Sequence, residues 1–192
     1  PVPGCVDGWC TLHKKFGQLA LQEVLQDAIG LAEDGFPISS QCAQATRLLI
    51  GVDNTDDYFR SGAPEAGTVI CRGGIAQVLK EIAASGREAF YQGDFGDELI
   101  RFGAGEYSKQ DLTKSQSDWV DPISVDAFGH RIWSPPPNSQ GYLCLSAAWI
   151  ADQLEIPENV NDPLFIHLLA ESALQAGFDR PEMLHEHANG SD

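Results

Sequence analysis

The run Ser134-Pro135-Pro136-Pro137-Asn138-Ser139-Gln140-Gly141 constrains this chain more than any other stretch. Three consecutive prolines hold φ near −65°, supply no backbone N–H, and push the residue before each of them out of the helical region. The segment is a stiff, extended connector that cannot donate to a sheet ladder. The residues before it read as strand, and those after it read as helix. Asn138 and Ser139 offer side-chain oxygens suited to capping the free N–H groups of that helix. A helix N-terminus so presented can aim donors at a carboxylate or carbonyl; a purely structural corner explains the same residues.

Around this connector the pattern is mostly helical. Leu21, Val24, Leu25, Ala28 and Ala32 fall on one helical face, ended by Asp34-Gly35-Phe36-Pro37. A second helix starts at a Ser39-Ser40 cap and carries Cys42, Ala45, Leu48 and Leu49. Ile75, Val78, Leu79, Ile82 and Ala83 form a third stripe, stopped by Gly86, and a fourth helix runs from Phe95 to Phe102, stopped by Gly103. Ser108 to Leu112 reads as a capped turn. Leu143, Ala147, Ile150 and Leu154 mark a helix after the prolines, and Phe165, Leu168, Leu169, Ser172 and Ala176 the last long one. Residues 1–10 read as an irregular entry, and residues 51–74 as a surface loop with a strand-like piece at Thr68-Val69-Ile70-Cys71. The β content is a hairpin around Ala127-Phe128-Gly129, with Pro122 marking an edge strand. The expected fold class is mostly α with one small β hairpin, residues 1–184 forming one domain and residues 185–192 a polar tail. So little β structure makes a poor sheet by itself, so the helices need a sheet that this chain does not contain.

Charge narrows the function classes. The 28 acidic residues outnumber the 12 basic ones, a formal net charge of −16, which opposes binding to nucleic acid or to an anionic membrane surface. No apolar run approaches the roughly 20 residues that span a bilayer. There is no signal peptide, and the start, Pro1-Val2-Pro3-Gly4, reads as a cut terminus.

Direct chemical signatures are sparse. Cys5, Cys10, Cys42, Cys71 and Cys144 are odd in number and contain no Cys-x-x-Cys, against a disulfide scaffold. Cys71 and Cys144 have apolar neighbours and read as buried small hydrophobes. Cys5, Cys10 and His13 lack a second ligand pair for a structural metal, and His185 with His187 is a comparably poor pair, so no metal or cofactor is assigned. Gly73-Gly74 lacks the Lys-Ser or Lys-Thr of a phosphate loop. His130 has no evident nucleophile beside it and reads as an exposed strand residue.

Several stretches taken together resemble one family, the gamma-glutamyltransferases (glutathione hydrolases and related acylases). Val2-Pro3-Gly4-Cys5-Val6-Asp7-Gly8 is similar to its Val-Pro-Gly-x-Val-x-Gly. Ala32-Glu33-Asp34-Gly35-Phe36, Phe90-Tyr91-Gln92-Gly93, Tyr107-Ser108-Lys109-Gln110-Asp111-Leu112 and Glu171-Ser172-Ala173 through Asp179-Arg180 resemble further family segments, in family order. Trp133 to Gly141 resembles its Pro-Pro-Pro-Ser-Ser-Gly-Gly. This chain departs from it at Asn138-Ser139-Gln140-Gly141, where Gln140 stands in place of a glycine expected to allow close backbone approach, and at Gly103-Ala104-Gly105-Glu106, as a divergent member would.

The resemblance implies an internal part of the large subunit of a self-cleaving enzyme with a four-layer αββα N-terminal-nucleophile hydrolase fold. It implies a small-subunit partner whose N-terminal Thr is the nucleophile, its own amine serving as base, and a small gamma-glutamyl substrate such as glutathione. It suggests a periplasmic or extracellular setting. Thr11, Thr46, Thr55, Thr68 and Thr113 do not lie in the context of such a nucleophile, so no catalytic residue is carried onto this chain. Asn138, Ser139, Gln140 and Gly141 are expected to lie beside the substrate. Two alternatives stand: a non-catalytic helical interaction module on the same scaffold, and a related acylase with another amide substrate.

Overall fold

The computed structural model describes residues 2–59, 62–185 and 188. The expected tail at 185–192, His187 included, lies largely outside them. The chain forms two compact units, Pro1–Asp118 and Trp119–Asp192.

The first unit holds α1 (Cys5–Phe16), α2 (Leu21–Asp34), α3 (Ser40–Thr46), α4 (Gly73–Ser85), α5 (Arg87–Tyr91), α6 (Asp94–Phe102) and α7 (Lys109–Thr113), with two short strands, β1 (Phe36–Pro37) and β2 (Val69–Ile70). The apolar stripes of α2 and α4 pack together, and Val6, Ile82, Tyr91 and Leu112 form the buried centre against Leu21, Leu25 and Val78. The capping residues behave as their chemistry requires. The Ser39 hydroxyl accepts the Cys42 N–H at 3.1 Å. Ser108 and Asp111 form a reciprocal capping box. Gly86, at φ 65°, ends α4 and lets the chain re-enter a helix at once.

Two expectations are corrected by the structure. Residues 5–10 are helical, because α1 starts directly after Gly4. A glycine inside a helix costs about 1 kcal/mol, and burial of Val6 and Asp7 in this turn outweighs that cost at Gly8. The strand-like piece at 68–71 also finds a partner: β2 pairs antiparallel with β1, so a second two-stranded sheet joins the expected hairpin. Its partner strand is only two residues long and contains Pro37, too short for any periodic signal.

Asp7 is the polar centre of this unit. It is 1% exposed. Its carboxylate accepts from Arg87 Nε at 2.7 Å, from the Ser115 hydroxyl at 3.0 Å, from Ser117 N–H at 3.0 Å and from Gln116 N–H. Arg87 also donates to the carbonyls of Leu112 at 3.1 Å and Lys114 at 2.5 Å, and lies over the Tyr91 ring at 4.4 Å. The Tyr91 hydroxyl takes the Asp7 N–H at 3.3 Å and donates to the Pro3 carbonyl at 2.5 Å. One node thus ties α1, α5, the end of α7 and residues 115–117 together.

The second unit holds the hairpin β3 (Ile123–Ala127) and β4 (His130–Ser134), then α8 (Gly141–Asp152), α9 (Pro163–Ala176) and α10 (Arg180–Met183). Ala127 pairs with His130 across Phe128 and Gly129, whose φ values of 52° and 73° match the two-residue turn that suits strand twist. The Phe128 N–H is held by Asp152 Oδ1 at 2.9 Å. Ile123, Val125 and Ala127 face inward while Ser124 and Asp126 face out, and α8 packs across both strands. Asp162 caps α9 by accepting the Leu164 N–H at 2.9 Å. Among the described residues the secondary structure is mostly helical with two small two-stranded sheets.

Asp7→Asn is expected to destabilise the first unit by about 3 kcal/mol, since it leaves the Arg87 charge buried without its partner. Glu33→Gln, which breaks the exposed Lys80–Glu33 pair, should change little. Burial pushes the Asp7 carboxyl up, but the donors from Gln116, Ser115 and Arg87, with the Arg87 charge, hold it below its ordinary value of 3.8. A depressed carboxyl stabilises the fold above its unfolded value, and the contribution disappears as pH falls through the lower folded value. Urea midpoints of wild type and Asp7→Asn measured from pH 7 downward should therefore converge below about pH 4.

Candidate functional site

The connector that leaves β4 folds back on itself. Ser139 N–H donates to the Pro136 carbonyl at 3.1 Å, and Gly141 N–H to the Ser139 hydroxyl at 3.3 Å. The two ends of the loop touch: a Cβ added at Gly141 would overlap the Ser134 hydroxyl oxygen and lie 2.9 Å from the Ser134 Cβ. Gly141 is therefore the position that close backbone approach requires. Gln140, one residue earlier, is exposed and accommodates a long side chain.

The expected cap is met in part: the Ser139 hydroxyl accepts the N–H of Gly141, the first residue of α8. Gln140, not Asn138 or Ser139, is the N-cap of α8, and its side chain makes no capping bond. Its amide oxygen instead accepts Arg180 Nε at 3.0 Å, across 40 residues of sequence. Neither partner carries a local signal that would pair them. Of the four expected site residues, Ser139 and Gly141 are bonded to each other, Gln140 reaches α10, and Asn138 is exposed.

Within the second unit lies a cavity of about 770 Å³. β3, α8 from Tyr142 to Ile150, the end of α9 and the turn after it form its walls, with Ile123, Tyr142, Leu145, Trp149, Phe178 and Asp179 among the lining residues. The Tyr142 hydroxyl oxygen is buried and has no hydrogen-bond partner among the described residues. The lining mixes apolar side chains with Ser124, Ser146, Gln175 and Asp179, so it offers both apolar surface and hydrogen-bonding groups.

The structure also places the other sequence candidates. His130 is exposed on β4. Cys144 is exposed and Cys71 half-buried, in place of the burial expected of both. The reason for Cys144 is that α8 is apolar on every side, so the hairpin and α9 cannot cover all of it. Among the described residues, no group of three or more His, Cys, Asp or Glu is arranged to hold a metal ion, and no helix is long and apolar enough to cross a membrane. Cys10 and Tyr91, near Asp7, are both pushed up by burial, so neither is poised as an ionised nucleophile.

The pattern defining gamma-glutamyltranspeptidases matches residues 1–191. The chain is 33% identical over 193 residues to the glutathione hydrolase-like YwrD proenzyme of Bacillus subtilis, covering 95% of this chain and 37% of that protein. It is 34% identical over 200 residues to the acylase ACY 1 proenzyme of a Pseudomonas species (strain V22), covering 93% of this chain and 34% of that protein. The fold superposes on the crystal structure of Helicobacter pylori gamma-glutamyltranspeptidase with a TM-score of 0.84 at 25% identity, covering 95% of this chain and 56% of that one. This chain belongs to the gamma-glutamyltranspeptidase family. It spans about a third of the length of the two proenzymes it matches.

Gly141→Ala is expected to cost about 1–3 kcal/mol through overpacking against Ser134, and Ser134→Gly in the same protein should recover most of it. Thermal unfolding of the single and double variants measures this; a Gly141→Ala protein as stable as wild type contradicts the close packing.

Proposed function

We propose that this chain is part of the large subunit of an amide hydrolase or transferase acting on gamma-glutamyl amides. The observation that carries the reading is the family match along residues 1–191, with related sequences in a glutathione hydrolase-like proenzyme and an acylase proenzyme. In the proposed reaction, the hydroxyl of an N-terminal Thr on the small subunit attacks the amide carbonyl. The C–N bond breaks, the amine leaves with a proton, and an acyl ester remains on the Thr. Water, or an acceptor amine, then attacks the ester and releases the acid or a new amide. No residue of this chain supplies the nucleophile. Asn138, Ser139, Gln140 and Gly141 lie beside the substrate in this reading, and residues 1–184 form part of one large-subunit domain.

The proposed small-subunit partner has physical support in the second unit. α8 and α9 are apolar on more than one face. Trp149 is 52% exposed, Ile166 62%, Leu174 66% and Phe178 85%. Exposed apolar residues in this number point to a missing covering layer. β3 pairs only with β4 among the described residues, so its outer edge is open to a further strand. Both features fit the four-layer αββα arrangement that the family resemblance implies.

A second reading, an acylase with a different amide substrate, is favoured by the relationship to the acylase ACY 1 proenzyme and by Gln140 in place of glycine.

The full-length protein is expected to cleave itself into two chains, one beginning with Thr, as read by intact mass. The processed enzyme should release the chromophore from a gamma-glutamyl anilide. The isolated 192-residue chain should release none. A full-length protein that neither cleaves itself nor turns over any amide in a gamma-glutamyl and acyl-amide panel would sink the enzyme reading. Turnover of acyl amides alone would select the acylase.

A further inference from the structure

Gln140 and Arg180 each adjoin, in sequence, a wall of the cavity in the second unit. Gln140 comes just before Tyr142, Leu145 and Ser146 of α8, which line one part of it. Arg180 comes just after Phe178 and Asp179, which line another part. The 3.0 Å bond from Arg180 Nε to the Gln140 amide oxygen links the loop after the prolines to the turn that enters α10. A glycine at position 140, as in the motif that this stretch resembles, has no side chain and makes no such link. Gly141 pins the same loop to Ser134 from behind. The loop is thus held at two points, by close backbone packing at Gly141 and by a side-chain bond at Gln140.

We propose that Gln140 is a positioning residue that acts through Arg180. The pair is a latch that fixes the 138–141 loop against the Gly177–Arg180 turn and so sets the separation of the two cavity walls. An uncharged amide that accepts from a guanidinium makes a charge-assisted bond, and the rigid donor fork of Arg restricts where the acceptor can lie. Loss of either partner removes this link and leaves the loop held only by the packing at Gly141. The consequence for catalysis rests on the proposed amide-hydrolase function; the latch itself does not.

The test uses hydrogen exchange on the full-length protein, read on the far side of each substitution. The Leu143 N–H donates to the Gln140 carbonyl at 3.1 Å on one wall, and the Leu184 N–H to the Arg180 carbonyl at 3.0 Å on the other. Arg180→Ala should speed exchange at Leu143 about fivefold, and Gln140→Gly should do the same at Leu184, the loss expected for one hydrogen bond. The double variant should be no faster than either single one, because both remove the same bond. Gln140→Glu, which keeps the acceptor, should match wild type. Unchanged far-side exchange, or additive effects in the double variant, overturns the latch. With a gamma-glutamyl anilide, Gln140→Gly should raise KM several-fold with kcat retained, and Gln140→Glu should restore KM. A fall in kcat at unchanged KM overturns the positioning role. Absence of turnover in the wild-type protein refutes the proposed function and leaves the exchange result to decide the latch.

Discussion

The buried contact between Asp7 and Arg87 holds the first unit in its observed arrangement. A carboxylate at 1% exposure is tolerated only when its charge and lone pairs are answered. Here they are answered by a guanidinium, a hydroxyl and two backbone N–H groups drawn from segments 80 to 110 residues away. The node accounts for features that local sequence does not. It holds α1 in place despite Gly4 and Gly8. It fixes the otherwise irregular residues 115–117, which lead out of the first unit. It sets Tyr91 between the Asp7 N–H and the Pro3 carbonyl, so the largest fully buried side chain is also hydrogen-bonded. An ion pair in this setting adds less to net stability than its Coulomb energy suggests, because both charges are desolvated. Its role is to make alternative arrangements of these segments costly.

The second unit poses the opposite problem. It has few buried residues for its length, and its two long helices carry more apolar surface than the hairpin can cover. Within α8, the stretch from Leu143 to Ala151 has Ser146 as its only polar residue. A helix of that kind is stable when surrounded. The alternation on β3 buries one face against α8, and its outer edge has no partner among the described residues. These properties fit the layered arrangement proposed for the family, and they agree with the short share of each proenzyme that the chain covers.

How much of this is legible in the sequence depends on how local each cause is. The helices at 21–34, 73–85 and 94–102 have periodic apolar faces and glycine stops, those at 141–152 and 163–176 are long apolar runs, and the sequence places all five to within a few residues. The hairpin turn is visible because Phe128-Gly129 sits between alternating segments. The features that escape the sequence share a physical cause. α1 is stabilised by Asp7 contacts from distant residues, which outweigh the glycines. β1 is too short for periodicity and exists through its pairing with β2. The apolar neighbours of Cys144 suggest burial, yet neighbours along a helix do not cover one another. The family motifs locate the loop at 134–141, but the motif pattern alone puts the sensitive glycine one residue too early.

That shift of one residue changes the meaning of the departure from the family pattern. If position 140 were the point of close backbone approach, a glutamine there would have to push the loop open. The close approach is at Gly141, where the glycine is kept and Ser134 fills the space behind it. Position 140 faces outward, so a side chain there costs no packing, and its length allows it to reach Arg180. The substitution therefore adds a constraint to the loop without removing one. The three prolines limit where the loop begins, Gly141 fixes where it ends, and Gln140 ties it to Arg180 at the start of α10. A loop restrained at both ends and along its side is suited to presenting a fixed surface to whatever lies against it.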